Sequence, residues 1–232
     1  MRSSTSSRRK GSCARIGLLS FVLAAGMLPA PARAADHVRI AAFQSSGINF
    51  PVYVALALKL FEKHGIDPEI IYGKGIQPTS MVVSGATDFG AIAVEHGITV
   101  IAKGQDIRLL VLDQTLPPFT LIVRNDIPVP HAGDLYPKMI ADLKGLKLGI
   151  STPGAGTDIT TRFLLTQAGL DPQRDVRLIP VGEPSTQIAA LKNHVIDGTL
   201  AFEPIQTQAV LAEKIARPIL DIEGGQGPAM FR

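Results

Sequence analysis

The sequence is poor in cysteine, tryptophan and charge. Its 232 residues include one cysteine, no tryptophan and 19% charged residues, while 46% are hydrophobic. This apolar content excludes an intrinsically disordered chain, and the composition matches neither collagen nor a disulfide scaffold. Because the single cysteine is Cys13, the rest of the chain has neither a disulfide nor thiol chemistry. Its stability must come from an ordinary apolar core, in one large domain or two small ones.

Basic residues are scarce after the N-terminal segment. Six of the 23 Lys and Arg residues precede the first acidic residue, Asp36, which leaves 17 basic and 20 acidic residues from there on. The formal charge of +3 for the whole chain therefore becomes −3 for the remainder. A nucleic-acid partner loses its main electrostatic support, and none is expected.

The first 34 residues are predicted to be a cleavable export signal. A basic stretch ends at Arg15, an uncharged apolar run covers residues 16–28, and Ala32 and Ala34 stand at positions −3 and −1 of a cleavage after Ala34. A membrane anchor is the alternative, but the run is too short to span a bilayer comfortably and no second apolar run follows. Cys13 precedes the apolar run and so cannot carry a lipid, which indicates a free periplasmic protein.

Short β-branched runs alternate with helical stretches after Ala34, a pattern typical of parallel βα units. Strands are predicted over residues 38–43, 68–72, 89–94, 107–112 and 119–123, and helices over 51–64, 79–84 and 97–103. After a breaker-rich passage at 126–138, strands are predicted over 147–151, 176–180, 198–202 and 217–222, and helices over 157–168, 186–193 and 205–214. We therefore expect an α/β fold with two lobes, residues 35–124 and 125–225. Ligands of such sheets bind beyond the carboxyl ends of the strands, in a cleft between the lobes.

The loop over residues 150–157 is one candidate for contact with a ligand. It lies between a predicted strand and a predicted helix, and Gly154 and Gly156 let backbone N–H groups approach a ligand closely. The following helix would direct its positive end at the same place, which suits a carboxylate, sulfonate or phosphate. An ordinary turn is the alternative.

The loop over residues 44–50 is a second candidate. It offers hydroxyls and amides, and Phe50 with Tyr53 could cover the apolar part of a ligand. Such Ser, Gly and Asn clusters also occur in loops without a binding role.

The chain shows no catalytic or metal-binding constellation. The five histidines, His37, His64, His96, His131 and His194, lack metal-ligand spacing, and each is expected at the surface or at a helix cap. Five acidic residues cannot be paired as acid and base by spacing and are expected to be solvated or structural: Asp88, Glu95, Asp113, Glu183 and Glu203. No enzyme, cofactor or metal is expected.

Five segments together resemble the solute-binding components of nitrate, sulfonate, taurine and bicarbonate ABC importers, including the related pyrimidine-precursor binders. These segments are residues 50–55 (FPVYVA), 60–67 (LFEKHGID), 83–90 (VSGATDFG), 142–149 (DLKGLKLG) and 197–204 (DGTLAFEP). The match follows the exported chain in the right order, so the segments are specific as a set.

The resemblance implies a two-lobed, type II periplasmic-binding fold that closes on a small solute and presents it to an inner-membrane ABC permease. We expect a monomer that binds a small anion, such as a sulfonate, nitrate or an organic carboxylate. The identity of the solute does not transfer, and a neutral pyrimidine remains open. The alternatives are an enzyme on the same fold, of thiamine-pyrimidine or menaquinone-pathway type, and a ligand-sensing domain.

The resemblance also assigns ligand-binding positions, with Phe50, Tyr53 and Phe202 enclosing any apolar part of the solute. The complete set is Gln44, Ser45, Ser46, Asn49, Phe50, Tyr53, Ala93, Val94, Glu95, Asp113, Gln114, Thr152, Gly154, Ala155, Gly156, Thr157, Phe202 and Glu203.

Members of that family return from the second lobe to the first with another strand and several helices. This chain stops at Arg232, where residues 226–232 would begin the return. We therefore expect a fragment, a truncated gene or a frameshift, with apolar faces of the first lobe left uncovered.

Overall fold

The structure is a computed structural model that describes residues 34–44, 46–114 and 116–231. The predicted signal peptide, residues 1–34, lies outside this range except for Ala34, so the signal and its cleavage site stay predictions. Within the described ranges, no helix has both the length and the apolar character needed to cross a membrane.

Strands and helices alternate along the chain, as predicted. The strands are β1 (Asp36–Phe43), β2 (Ile66–Gly73), β3 (Phe89–Ala91), β4 (Thr120–Arg124), β5 (Lys147–Ile150), β6 (Arg177–Pro180), β7 (Gly198–Ala201) and β8 (Ala216–Asp221). The α-helices are α1 (Phe50–Ala57), α2 (Leu60–Lys63), α3 (Gln77–Val83), α4 (Val94–Ala102), α5 (Gly156–Gln167) and α6 (Pro184–Lys192). Short 3-10 helices cover Gly47–Asn49, Lys138–Leu143 and Ala229–Phe231, and a π-helical turn covers Thr207–Ala212.

The strands form two separate sheets. The first has three parallel strands in the order β2-β1-β3, and the second has five in the order β6-β5-β7-β4-β8. In the second sheet β5 runs parallel to β6 and β7, whereas β4 runs antiparallel to β7 and β8. The predicted α/β class with two sheet-based lobes is confirmed.

The position of β4 corrects two expectations. We expected this strand to end the first lobe, but it pairs with β7 and β8 in the second sheet. Its residues explain the choice, since Leu121, Ile122 and Val123 are at most 2% exposed and pack in the core of that sheet. The parallel pattern predicted from the sequence is therefore interrupted by one antiparallel strand.

The predicted strand over residues 107–112 is absent from the described structure. A strand requires a hydrogen-bonded neighbour, and no described segment pairs with these residues. Leu110 and Val111 are consequently 68% and 86% exposed. The apolar composition that predicted a strand is present, but the pairing is not.

The helix predicted over residues 51–64 is broken in two. Lys59 adopts a left-handed backbone with φ of 53°, which ends α1 and begins α2. Two predicted glycine caps are observed, because Gly65 and Gly85 follow helices with φ of 71° and 73°. The predicted strand over residues 89–94 stops at Ala91, since Val94 already begins α4.

The main apolar core surrounds the second sheet. Leu148, Leu200 and Leu220 are at most 1% exposed, and α5, α6 and the Lys138–Leu143 helix pack against this sheet. In the first sheet, the buried residues are Ile40, Ala41 and Ala42 in β1 and Gly73 at the end of β2. Most of the buried apolar core therefore lies at the second sheet.

Candidate functional site

A cleft lies between the two sheets at the carboxyl ends of β1, β5, β6 and β7. Its volume is about 550 Å³ including the open mouth. It is lined by Phe43, Gln44, Ser46, Ile48, Gly75, Ala93, Glu95, His96, Phe119, Ser151, Ala155, Gly156, Thr157, Gly182, Glu183, Pro184 and Phe202. The cleft lies at strand ends, where a ligand site was expected, and residues of the predicted loops after β1, β3 and β5 line it together with others.

The loops of the two sheets touch across the cleft. The Gly47 N–H donates a hydrogen bond to the Glu203 carbonyl at 3.0 Å. At Gly75, a Cβ atom would stand 2.7 Å from Thr152 Oγ1, so a larger residue would clash with the opposite loop. The structure therefore shows the two halves closed against each other.

Three aromatic side chains form the apolar part of the wall. Phe119 and Phe202 meet edge to face, with ring centroids 6.3 Å apart. Phe43, at the end of β1, makes a similar edge contact with the His96 ring, also at 6.3 Å. These rings can cover the apolar body of a small solute.

His96 is a buried histidine without a hydrogen-bond partner. It lies in the first turn of α4, its residue is 3% exposed, and neither ring nitrogen has a partner among the described residues. The Gly154 backbone lies near the ring without hydrogen-bond geometry. Burial lowers the pKa of His96, an effect that Glu95 and the Gly154 backbone oppose. The neutral imidazole thus has one N–H donor and one nitrogen acceptor that no described residue satisfies.

Two carboxylates line the same cleft. Glu95 stands in the first turn of α4 and reaches across to Gly156, where its Oε1 fills the space that a side chain would need. Glu183 is the N-cap residue of α6, and burial raises its pKa while Lys74 opposes that rise. Both residues are part-buried in the cleft wall, where Glu95 was among the predicted ligand-binding residues and Glu183 was not.

The loop between β5 and α5 is held by its own hydrogen bonds. The Ser151 N–H donates to Thr157 Oγ1 at 2.9 Å, and the Gly154 N–H donates to Asp158 Oδ2 at 2.8 Å. Gly154 has φ of 79°, which glycine adopts without strain. Two N–H groups of this loop are therefore already hydrogen-bonded within the protein.

The structure brings together eight of the predicted site residues. Lining the cleft are Gln44, Ser46, Ala93, Glu95, Ala155, Gly156, Thr157 and Phe202. Their role in ligand binding stays a prediction, as does that of Ser45, which lies outside the described residues.

The remaining predicted residues lie outside the lining. At the first loop and α1 these are Asn49, Phe50 and Tyr53. Val94 begins α4, Asp113 and Gln114 lie between α4 and β4, and the second sheet's loops contain Thr152, Gly154 and Glu203. Phe50 is 65% exposed, and Tyr53 donates its hydroxyl to the Phe43 carbonyl at 3.4 Å. Asn49 is fully buried and accepts from the Phe43 N–H at 3.3 Å.

Some of these placements have a clear cause. Asp113 and Gln114 were placed by the strand expected over residues 107–112, which does not form. The Glu203 carboxylate is engaged in its own helical turn, where it accepts from the Thr207 hydroxyl at 2.9 Å, while the Glu203 carbonyl accepts from Gly47.

Sequence reasoning missed nine lining residues. Ile48 and Ser151 were left out of the predicted set although they lie in the two candidate loops over residues 44–50 and 150–157. Phe43, Gly75, Gly182, Glu183 and Pro184 stand at or after the ends of predicted strands, so the strand-end rule could have found them. His96 and Phe119 carried no such local signal, and the expectation that His96 is a surface or capping residue is wrong.

No group of three or more His, Cys, Asp or Glu side chains that could hold a metal occurs in the described part of the chain.

Known proteins share this sequence pattern and architecture. The nitrate/nitrite binding protein NrtA of Nostoc sp. strain PCC 7120 is 38% identical over 73 residues, which are 32% of this chain and 16% of that protein. A solved structure from Bordetella bronchiseptica RB50 is 28% identical with a TM-score of 0.65, over 80% of this chain and 56% of that one. The periplasmic aliphatic sulphonate binding protein SsuA of Escherichia coli is 21% identical with a TM-score of 0.64, over 82% of this chain and 62% of that one.

The chain therefore spans less than two thirds of the length of each of these relatives. The two solved structures confirm the predicted periplasmic binding-protein fold. The model of the NMT1-like family matches residues 35–223, which include every strand of both sheets and all the loops that line the cleft. By that match, the chain belongs to the NMT1-like family.

Proposed function

We propose that this chain is the solute-binding component of an ABC-type importer, which captures a small solute in the cleft and delivers it to a membrane permease. The observation that carries the proposal is the cleft itself, built from strand-end loops of two sheets that close on each other. The relatives named as nitrate and sulphonate binding proteins support the same role.

The proposal includes two lobes and a periplasmic location. Sheet membership supports a first lobe around β1, β2 and β3 and a second around β4 to β8, with the chain crossing between Ala102 and Thr120. The signal pattern over residues 1–34 supports export, and the names of periplasmic relatives agree with it. Closure around a bound solute would then favour the form that the permease recognises.

A thermal-shift experiment tests solute binding. The purified chain is mixed with small anions, amines, amides and a periplasmic extract. At a concentration 100 times its Kd, a solute stabilises the native state by about 2.7 kcal/mol. That corresponds to a rise in Tm of roughly 5 to 10 °C for a domain of this size.

A cleft-filling variant provides the control. Ala93→Phe places a ring in the cleft wall, and we expect it to abolish the solute-dependent rise. Ala57→Phe makes the same change at the exposed end of α1, away from the cleft, and should retain the rise. If no solute raises the Tm of the parent chain by more than it raises the Tm of Ala93→Phe, the proposal is wrong. A solute recovered in a chemically altered form would favour the enzyme instead.

A further inference from the structure

Three helix N-termini face the cleft, and each already has a carboxylate of the protein beside it. Glu95 is in the first turn of α4, Asp158 is in the first turn of α5, and Glu183 caps α6. A helix N-terminus carries a partial positive charge that attracts anions. Here the negative charges of the protein's own carboxylates lie beside these partial positive charges and weaken their attraction for an anionic ligand.

Cationic side chains do not compensate for these carboxylates. Among the described residues that line the cleft there is no Lys or Arg. Arg162, on α5, is bound to Asp158 at 2.6 Å, and Lys74 acts on Glu183 from outside the lining. With a neutral His96, the lining has a net negative charge from Glu95 and Glu183.

The charged groups that the cleft offers to a ligand are hydrogen-bond acceptors, while Gln44, Ser46, Ser151 and Thr157 line it with neutral groups that can donate as well as accept. Glu95 and Glu183 contribute carboxylate oxygens, and the buried His96 ring contributes one acceptor and one donor, both without a partner in the described structure. Phe119 and Phe202 supply flat apolar surfaces next to these groups. A carboxylate, sulfonate or nitrate offers no hydrogen-bond donor to Glu95 and Glu183, and its negative charge is repelled by theirs.

We propose that the cleft selects a neutral or positively charged solute that donates hydrogen bonds to Glu95 and Glu183, and that it discriminates against free anions. The inference rests on the proposed solute-binding function and specifies its ligand class, in place of the anion expected from the sequence. A planar head group with N–H donors attached to a small apolar ring fits both the carboxylates and the aromatic walls.

Three probes with the same ring and different head groups test this selectivity. Benzamidine is a cation with N–H donors, benzamide is neutral with N–H donors, and benzoate is an anion without them. We expect affinity for the purified chain, measured by isothermal titration calorimetry, to fall in that order, with benzamidine at least about tenfold tighter than benzoate.

Charge-neutral variants test which residues set the order. Glu95→Gln and Glu183→Gln keep the size of each side chain and should each reduce the benzamidine-to-benzoate affinity ratio by roughly tenfold. The matched control is Glu62→Gln, an exposed position on α2 whose side chain pairs with Lys59, and it should leave the ratio unchanged. Circular dichroism melting confirms that each variant is folded, and either variant suffices if the other does not fold.

The outcomes separate this inference from the proposed function. Tighter binding of benzoate than of benzamidine overturns the charge inference while supporting solute binding. An unchanged benzamidine-to-benzoate affinity ratio in both folded variants also overturns it, because the two carboxylates would then not determine the preference for a charged ligand. Failure of all three probes to bind overturns the inference and counts against a solute site in this cleft.

Discussion

Replacing Asp197 with alanine tests whether a buried charge cluster holds the second sheet together. Arg124, the last residue of β4, has a side chain that is 7% exposed, and its Nη1 donates to Asp197 Oδ1 at 3.2 Å and to the Ile196 carbonyl at 3.0 Å. The other oxygen, Asp197 Oδ2, accepts from the Lys147 N–H at 2.8 Å. One carboxylate, itself 11% exposed, therefore connects β4, β5 and the start of β7.

The loss can be estimated from these contacts. Breaking a buried ion pair by removing one partner costs about 3 to 5 kcal/mol. Arg124 retains its second carboxylate, Asp126, so we expect the lower end, about 3 kcal/mol, which includes the orphaned Lys147 N–H. At about 2 to 4 °C per kcal/mol for a domain of this size, the Tm should fall by roughly 6 to 12 °C. Reversible urea unfolding and scanning calorimetry measure the two quantities.

Asp126→Ala is the matched comparison, because it removes the other carboxylate from the same guanidinium. Asp126 binds Arg124 through two hydrogen bonds, Nε to Oδ1 at 2.9 Å and Nη2 to Oδ2 at 2.8 Å, but its side chain is 54% exposed. Water can replace an exposed partner, so this variant should lose less stability than Asp197→Ala. An equal or larger loss for Asp126→Ala would refute the view that burial decides the cost.

Three further predictions concern closure and pH. In Gly47→Ala, the new Cβ would stand 2.9 Å from the Cβ and 3.1 Å from the carbonyl oxygen of Glu203, which would hold the two loops apart. We therefore expect at least about tenfold weaker solute binding. X-ray scattering with solute present should give a larger radius of gyration. Burial lowers the pKa of His96, so the unfolded chain takes up the proton first as the pH falls. The free energy of unfolding should therefore decrease as the pH drops below 6.5. His96→Gln should remove this part of the decrease between about pH 7 and pH 5, measured by urea unfolding. Hydrogen bonds from Arg39 lower the pKa of Asp88 from 3.8 to about 2. The ionised Asp88 therefore stabilises the fold above pH 3.8, and this contribution is lost as the pH falls through 2. In Asp88→Asn, the free energy of unfolding should fall less steeply between about pH 4 and pH 2.

The sequence predicted the positions of most strands correctly, but it did not predict which strands pair with each other. The β-branched runs that predicted β1, β2 and β5 to β8 form strands within one or two residues of the predicted bounds, because alternation and glycine caps act locally. Residues 107–112 have the same local pattern and form no strand, because pairing depends on a neighbour elsewhere in the chain. For the same reason, β4 has the expected position in the sequence and lies in the other sheet.

The candidate site divides in the same way. Gly156 and Thr157 were predicted from a loop between a strand and a helix, since glycines and hydroxyls at that place are a local signal. Glu183 follows the end of a predicted strand, whereas His96 carried no comparable local signal. That the two residues line one cleft depends on how the two sheets pack together.

The sequence by itself determined the alternation of strands and helices, the strand-end loops that carry polar and small residues, and the pattern of an export signal. These features depend on neighbours within a few residues, so they can be read directly from the order of the amino acids. Only the tertiary structure decided the sheet to which β4 belongs and the charge of the cleft. Both depend on contacts between residues far apart in the chain, where burial and electrostatic environment are set by packing and not by spacing.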